Sequence, residues 1–218
     1  AVTAVGDNQL TTDQGETIGF GHLGLTERFI PQTQLARTAD CGLEYDPVGG
    51  YWRVVTDARG RTDRPGIYVI GEGQGVRCWR HARLSGERVA SAVAADLAGQ
   101  SLKTRDNGLR RRFLIGFGRA LEHRQSQRAA TRPAAEAVIC PCEGTRVSAV
   151  DEAVSLGLAD LSSIKVVTRC GMGPCQGRYC EPQVTARIRA AGATPRGALN
   201  QRAFSRPVRV GEVLDGTG

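Results

Sequence analysis

Five of the seven cysteines of this 218-residue chain lie within 41 residues, 140–180, and their spacing suggests a metal centre. Cys140 and Cys142 flank a single proline, and after 32 intervening residues Cys175 and Cys180 flank four residues. Two thiolate pairs on separate loops can bind a tetrahedral zinc ion or the two irons of a 2Fe–2S cluster. The one-residue gap suits a zinc knuckle less well than a gap of about two to four residues.

Glycines around the second cysteine pair favour iron–sulfur chemistry. Gly171 and Gly173 precede Cys175, and Gly177 lies between Cys175 and Cys180. Because glycine has no side chain, backbone N–H groups can approach the sulfides of a cluster and hydrogen-bond to them. The sequence therefore favours a 2Fe–2S cluster over zinc.

The remaining cysteines bear on the ligand set and on the compartment. Cys170 precedes Cys175 by the same gap that separates Cys175 from Cys180, so spacing alone leaves open which four cysteines bind. Cys41 and Cys78 stand alone. An odd total without a secretory signal predicts a reducing, cytoplasmic compartment in place of a disulfide scaffold. Buried structural thiols are the alternative, and five clustered cysteines fit it poorly.

The net charge of +7 is concentrated in one segment. Residues 101–135 carry nine positive and two negative side chains, which leaves the rest of the chain neutral. Lys103 and Lys165 are the only lysines, and the basic segment lacks interleaved aromatic residues and any nucleic-acid motif. We therefore expect no nucleic-acid partner. No apolar run approaches the length of about 18 residues that spans a membrane, so we expect no membrane span.

The first half of the chain reads as mixed helix and strand. Residues 43–55 predict a hairpin, and the apolar run 66–70 predicts a strand that leads through the glycine-rich turn 71–75 into a helix at 82–97. Apolar residues then recur every four positions and predict an amphipathic helix with a basic outer face. They are Leu109, Phe113, Phe117 and Leu121.

Short helices are predicted around the cysteines. Ser148 and Asp151 resemble a capping pair for a helix that ends at Gly157, and Asp160 can cap a helix over 161–168. Residues 182–191 predict another helix, followed by an irregular tail.

Two features are interpreted as carrying no chemistry. The string from Gly19 to Gly24 matches the dinucleotide fingerprint, but we expect no strand before it because the preceding residues are polar, and Pro31 interrupts any following helix. It is therefore not interpreted as a phosphate loop. The three histidines have no partner spacing and are expected to be surface or packing residues. They are His22, His81 and His123.

Residues 138–143 and 168–180 closely resemble the bacterioferritin-associated-ferredoxin-like 2Fe–2S domain. More narrowly, they resemble its version at the C-terminus of the FAD-dependent alpha subunits of opine, proline and hydroxyproline dehydrogenases and of hydrogen cyanide synthase. The resemblance implies that Cys170 is a spare and that four other cysteines bind the cluster. They are Cys140, Cys142, Cys175 and Cys180.

Residues 64–75 resemble the second flavin contact of the same family, in which an acidic residue after a strand hydrogen-bonds the ribityl chain. This implies an FAD site at Gly71, Glu72, Gly73 and Gly75, with glutamate in place of the usual aspartate. The family's proteins are about twice as long, and this chain matches their C-terminal half. The implied FAD site is therefore shared or incomplete.

Together these observations predict an α+β protein in four parts. Residues 1–100 form the C-terminal part of a glutathione-reductase-like FAD-binding domain, 101–135 a basic connecting helix, 136–192 the 2Fe–2S domain and 193–218 the tail. The expected function is electron relay between flavin and acceptor in a heteromeric bacterial dehydrogenase acting on CH–NH or CH–NH2 donors. We expect no substrate acid or base in this chain, which would be inactive alone. The alternative is a non-enzymatic ferredoxin-like module or a structural zinc site.

Overall fold

The computed structural model describes residues 2–23, 29–101, 108–128 and 134–199, together with 208, 209, 211 and 213. Its strands are β1 (Val2–Gly6), β2 (Gln9–Thr12), β3 (Thr17–Gly19), β4 (Leu43–Asp46), β5 (Tyr51–Val54), β6 (Val138–Cys140) and β7 (Thr145–Arg146). Its α-helices are α1 (Gln34–Thr38), α2 (Trp79–Leu97), α3 (Gly108–Arg128), α4 (Val147–Ser155), α5 (Leu161–Thr168) and α6 (Glu181–Ala190). This mixture of helices and strands is consistent with the predicted α+β class.

The strands form three small antiparallel sheets with the orders β1-β2-β3, β4-β5 and β6-β7. Within the described ranges, none of these sheets contains a parallel pair of strands. No helix in the described part of the chain has the length and apolar character needed to cross a membrane.

The predicted hairpin is confirmed, and it packs on the cysteine-bearing part of the chain. In β4 and β5, Leu43 lies opposite Val54, and the rings of Tyr45 and Trp52 meet edge to face at 5.4 Å. Trp52 belongs to the same core as α4, α5 and α6. That core buries Ile139, Val147, Val150, Leu161, Ile164, Val184, Ile188 and Leu199. The hairpin therefore supports the segments that carry the cysteines.

The caps of the short helices follow the sequence in one case and depart from it in another. Asp160 precedes α5, and its side chain accepts a hydrogen bond from the Ser163 backbone N–H at 2.8 Å, as predicted. The capping pair predicted for α4 is wrong, because Arg146 occupies the cap position and makes no side-chain cap bond. Asp151 instead accepts a hydrogen bond from Nε of Arg187 on α6 at 2.6 Å, which ties the two helices together.

The strand predicted over 66–70 is wrong. Tyr68 forms a single antiparallel bridge with Arg61, and the Val69 N–H donates to the Gly60 carbonyl at 2.8 Å. A strand needs a neighbouring segment that hydrogen-bonds to its backbone N–H and C=O groups along its length. Among the described residues, residues 66–70 have only a short, irregular partner of this kind. The following turn is a 3-10 helix, Gly71–Gln74, and α2 begins at Trp79.

The helix predicted after residue 108 is present as α3, but its predicted inner face is wrong. Leu109, Phe113 and Phe117 are 89%, 72% and 50% exposed, respectively. Leu114 is buried instead. Gly118 lies so close to Arg77 that a side chain at position 118 would collide with that arginine. Among the described residues, an apolar stripe of Leu109, Phe113 and Phe117 on α3 is therefore left uncovered. The side chain of Leu121 lies outside the described part of the chain.

The structure also differs in one respect from the expectation for the dinucleotide-like string that begins at Gly19. The expectation that no strand precedes it is wrong, because β3 ends at Gly19. The strand is short and its three residues are exposed. The next helix among the described residues, α1, begins at Gln34, and Gly24 itself is not described.

Stability is expected to depend on pH through Asp96 at the end of α2. Hydrogen bonds from Arg61, then from Tyr68, lower the pKa of Asp96 from 3.8 to about 2. Because the folded-state pKa is depressed, the stabilisation is complete above the ordinary pKa and is lost as the pH falls towards 2.

The Asp96→Asn variant tests this expectation by thermal unfolding between pH 3 and 7. The Tm advantage of the wild-type chain over the variant is expected to shrink steadily below about pH 4. An advantage that stays constant across this range would show that the ionised carboxylate does not contribute.

Candidate metal centre

Three structural features bring the clustered cysteines to one place. Cys140 is the last residue of β6, and Cys142 lies in the turn that joins β6 to β7. Cys170 and Cys175 lie in the loop between α5 and α6, and Cys180 occupies the cap position of α6. The β6–β7 hairpin and the connection between α5 and α6 therefore meet at the cysteines.

Three of these thiols form a buried group. The Sγ atoms of Cys140, Cys170 and Cys180 all lie within 4.8 Å of one another. The three residues are at most 2% exposed. This spacing is short enough for several of them to bind one metal ion, because thiolates around a tetrahedral metal lie at about 2.3 Å from it.

Cys142 and Cys175 form a more accessible pair beside the buried group. Cys142 is exposed and Cys175 is half-buried. The backbone of Cys175 hydrogen-bonds to Cys142 and lowers its pKa, but the Cys175 thiol, burial and the charges of Cys175 and Cys140 outweigh this and raise the pKa. All four cysteines that the resemblance assigns as ligands are thus drawn into one region.

The Cys180 thiol favours its protonated state in the absence of a metal. The pKa of Cys180 is raised well above its ordinary value, first by a hydrogen bond with Cys170 and then by burial. A bound cation reverses this preference, because a coordinating thiol is deprotonated outright. Metal binding at this site is therefore expected to release protons.

The loop between α5 and α6 needs glycine at defined positions. Gly171 and Gly177 have φ values of 89° and 84°, which side chains rarely adopt. A Cβ atom at either position would also come within 2.7 Å of the Leu199 side chain. A Cβ on Gly173 would lie 2.2 Å from the Cβ atom of Cys142. These glycines allow the loop to lie directly against the other cysteine hairpin.

A buried charged network secures this loop, and the sequence analysis did not identify it. Glu181 accepts hydrogen bonds from Arg37 of α1 at 2.9 Å and from the Leu199 backbone N–H at 2.7 Å. Arg37 also donates to the Leu199 carbonyl oxygen at 3.0 Å. The first residue after Cys180 thereby connects α1, α6 and the start of the tail. The acidic first turn of α6 was the only sequence signal that pointed to it.

The residues with a predicted FAD role lie in the 3-10 turn and just after it. Gly71 and Gly75 have φ values of 59° and 121°, so both positions favour glycine. Gly73 is required by packing, because a Cβ atom there would lie 2.5 Å from Val69 Cγ1. Glu72 is exposed, so its carboxylate is accessible to a ligand.

The chain is similar in sequence to subunits of two enzymes, opine oxidase and hydrogen cyanide synthase. No family model matches the chain. It is 37% identical over 202 residues to an opine oxidase subunit of Agrobacterium tumefaciens (strain Ach5), covering 87% of this chain and 40% of that protein. It is 33% identical over 183 residues to hydrogen cyanide synthase subunit HcnB of Pseudomonas protegens, covering 80% of this chain and 37% of that protein.

A solved structure shares the fold. The chain superposes on L-proline dehydrogenase from P. horikoshii with a TM-score of 0.59 and 20% identity, over 96% of this chain and 43% of that one. The chain thus spans about two fifths of the length of the curated relatives it matches. The sequence similarities relate the chain to subunits of opine oxidase and hydrogen cyanide synthase, and the solved structure shows a shared fold alone.

Proposed function

We propose that this chain carries the 2Fe–2S electron-relay site in the alpha subunit of an FAD-dependent dehydrogenase whose substrate is an amino acid, an opine or a related amine. The observation that carries the proposal is the convergence of the five cysteines, three of them buried within 4.8 Å of one another. Relatives named as oxidase and synthase subunits support the oxidoreductase assignment.

The proposed ligands are Cys140, Cys142, Cys175 and Cys180. Thiolates are the ligands that iron–sulfur clusters use, and the residues present fit such a group chemically. The absence of a side chain at Gly173 supports the assignment, because it allows the second cysteine loop to approach Cys142 closely. When bound, the cluster supplies one-electron transfer between a flavin and an acceptor.

The protein's own residues prepare this site in two ways. Burial of Cys140 and Cys180 excludes water from the inner side of the site, and Leu199 covers the loop at Gly171 and Gly177. Exposure of Cys142 leaves the outer side accessible, so a redox partner can approach there. Solvent exposure is one of the factors that set the reduction potential of a cluster. A site whose inner side excludes solvent and whose outer side faces the redox partner therefore suits electron transfer.

The flavin part of the proposal rests on the loop from Gly71 to Gly75. We propose that Glu72 hydrogen-bonds FAD in a site completed by further polypeptide, since the chain spans only about two fifths of its relatives. The uncovered stripe of Leu109, Phe113 and Phe117 on α3 supports an additional partner surface. The proposed partners are the other subunits of a heteromeric flavoprotein dehydrogenase, and this chain alone is proposed to be inactive.

Electron paramagnetic resonance of the anaerobically purified and reconstituted chain tests the relay function. A brown protein is expected whose dithionite-reduced form gives a spin-half signal, and the matched Cys78→Ala variant should keep it because Cys78 lies outside the cluster. A colourless chain with zinc would contradict the proposal and support a structural site. A brown chain whose cluster dithionite cannot reduce would exclude electron relay.

A further inference from the structure

We propose that Cys170 is a reserve ligand of the metal centre, able to replace Cys180 or Cys140 when either thiolate is lost. The inference rests on the proposed function, because it assumes that the centre holds an iron–sulfur cluster. It concerns a residue that the family resemblance leaves as a spare.

The position of Cys170 carries the inference. Its Sγ atom lies within 4.8 Å of both the Cys140 and the Cys180 sulfur atoms, and the residue is 2% exposed. Cys41, in contrast, lies next to Thr62, with its Sγ atom 3.8 Å from that hydroxyl oxygen. Cys170 is therefore placed as a ligand would be placed, not as an isolated core thiol.

The backbone around Cys170 is held in the conformation that points the thiol inward. Arg169 and Gly171, its two neighbours, have φ values of 62° and 89°. The Cys170 N–H donates to the Thr168 hydroxyl at 3.2 Å. A non-glycine residue in the left-handed region is uncommon and is retained where the surrounding structure requires it. This conformation keeps the Cys170 thiol beside Cys140 and Cys180 whether or not those two cysteines bind metal.

Replacement of a lost thiolate ligand by Cys170 requires little movement of its sulfur atom and no change in the oxidation state of iron. When Cys180 is absent, Cys170 would hold the cluster in its place as a thiolate, with the thiol proton released to solvent. Cys170 is not grouped with the outer pair, Cys142 and Cys175. We therefore expect it to rescue the loss of an inner ligand and not the loss of Cys142.

The experiment compares alanine variants after anaerobic reconstitution, measuring iron and sulfide per chain with electron paramagnetic resonance. Cys180→Ala is expected to retain about half or more of the wild-type cluster with a shifted signal, and Cys180→Ala/Cys170→Ala about a tenth or less. The matched control, Cys180→Ala/Cys78→Ala, should behave like Cys180→Ala. Cys142→Ala should lose the cluster with Cys170 present.

Equal loss of the cluster from Cys180→Ala and from Cys180→Ala/Cys170→Ala would overturn the inference. If circular dichroism shows that Cys180→Ala is unfolded, Cys140→Ala is compared with Cys140→Ala/Cys170→Ala in the same way. Loss of iron from both the Cys180→Ala and the Cys140→Ala backgrounds counts against the proposal. A wild-type chain that binds no cluster would refute the proposed function itself. A wild-type chain with a cluster and a Cys180→Ala variant without one would refute only the role of Cys170.

Discussion

Replacing Glu181 by alanine is expected to lower the free energy of unfolding by about 3 to 5 kcal/mol. The side chains of Arg37 and Glu181 are 6% and 11% exposed, so the variant leaves a charged guanidinium almost buried without its carboxylate. It also removes the acceptor of the Leu199 backbone N–H. Chemical denaturation of the wild-type and variant chains under identical metal loading measures the difference.

The matched control for this prediction is Glu87→Ala. Glu87 pairs with Arg83 on the surface of α2, and the two side chains are 59% and 73% exposed. Water and salt screen such a pair, so its loss is expected to cost between about 0 and 1 kcal/mol. Equal effects of Glu181→Ala and Glu87→Ala would show that the buried network does not stabilise the loop.

Replacing Gly173 by alanine is expected to reduce iron content about tenfold or more, because it displaces one cysteine loop from the other. The added Cβ atom would lie 2.2 Å from the Cβ and 3.5 Å from the Cα atom of Cys142. Neither atom can move without moving the backbone of the turn. Overpacking of this kind also costs about 1 to 3 kcal/mol of stability. Metal analysis and thermal unfolding measure the two effects separately.

Gly86→Ala is the matched control for the loop variant. Gly86 lies inside α2, where an added Cβ atom meets nothing within 4 Å. The substitution is expected to leave iron content unchanged and to increase stability by up to about 1 kcal/mol, since alanine favours a helix more than glycine does. Wild-type iron content in Gly173→Ala would contradict the proposed packing of the two loops.

Local patterns in the sequence predicted the elements whose determinants are local. The Asp160 cap, the hairpin over 43–55 and the short helices around the cysteines depend on residues a few positions apart, and each is present. The capping role of Asp151 could not be decided locally, because Arg187 is 36 residues away and binds the same carboxylate.

The errors arise where the partner of a segment is distant or absent. The strand predicted over 66–70 lacks a continuous neighbour among the described residues, and the apolar repeat of α3 has no covering surface there. Sequence spacing identified the cysteine cluster, but it could not place Cys170 beside Cys140 and Cys180. That arrangement depends on the left-handed conformation of Arg169, which the sequence does not signal.

The most direct test of the proposed metal centre is its elemental composition after anaerobic purification. We expect about two irons and two acid-labile sulfides per chain, and we expect both to be lost when Cys142 is replaced by alanine. One zinc ion per chain with no sulfide would contradict it.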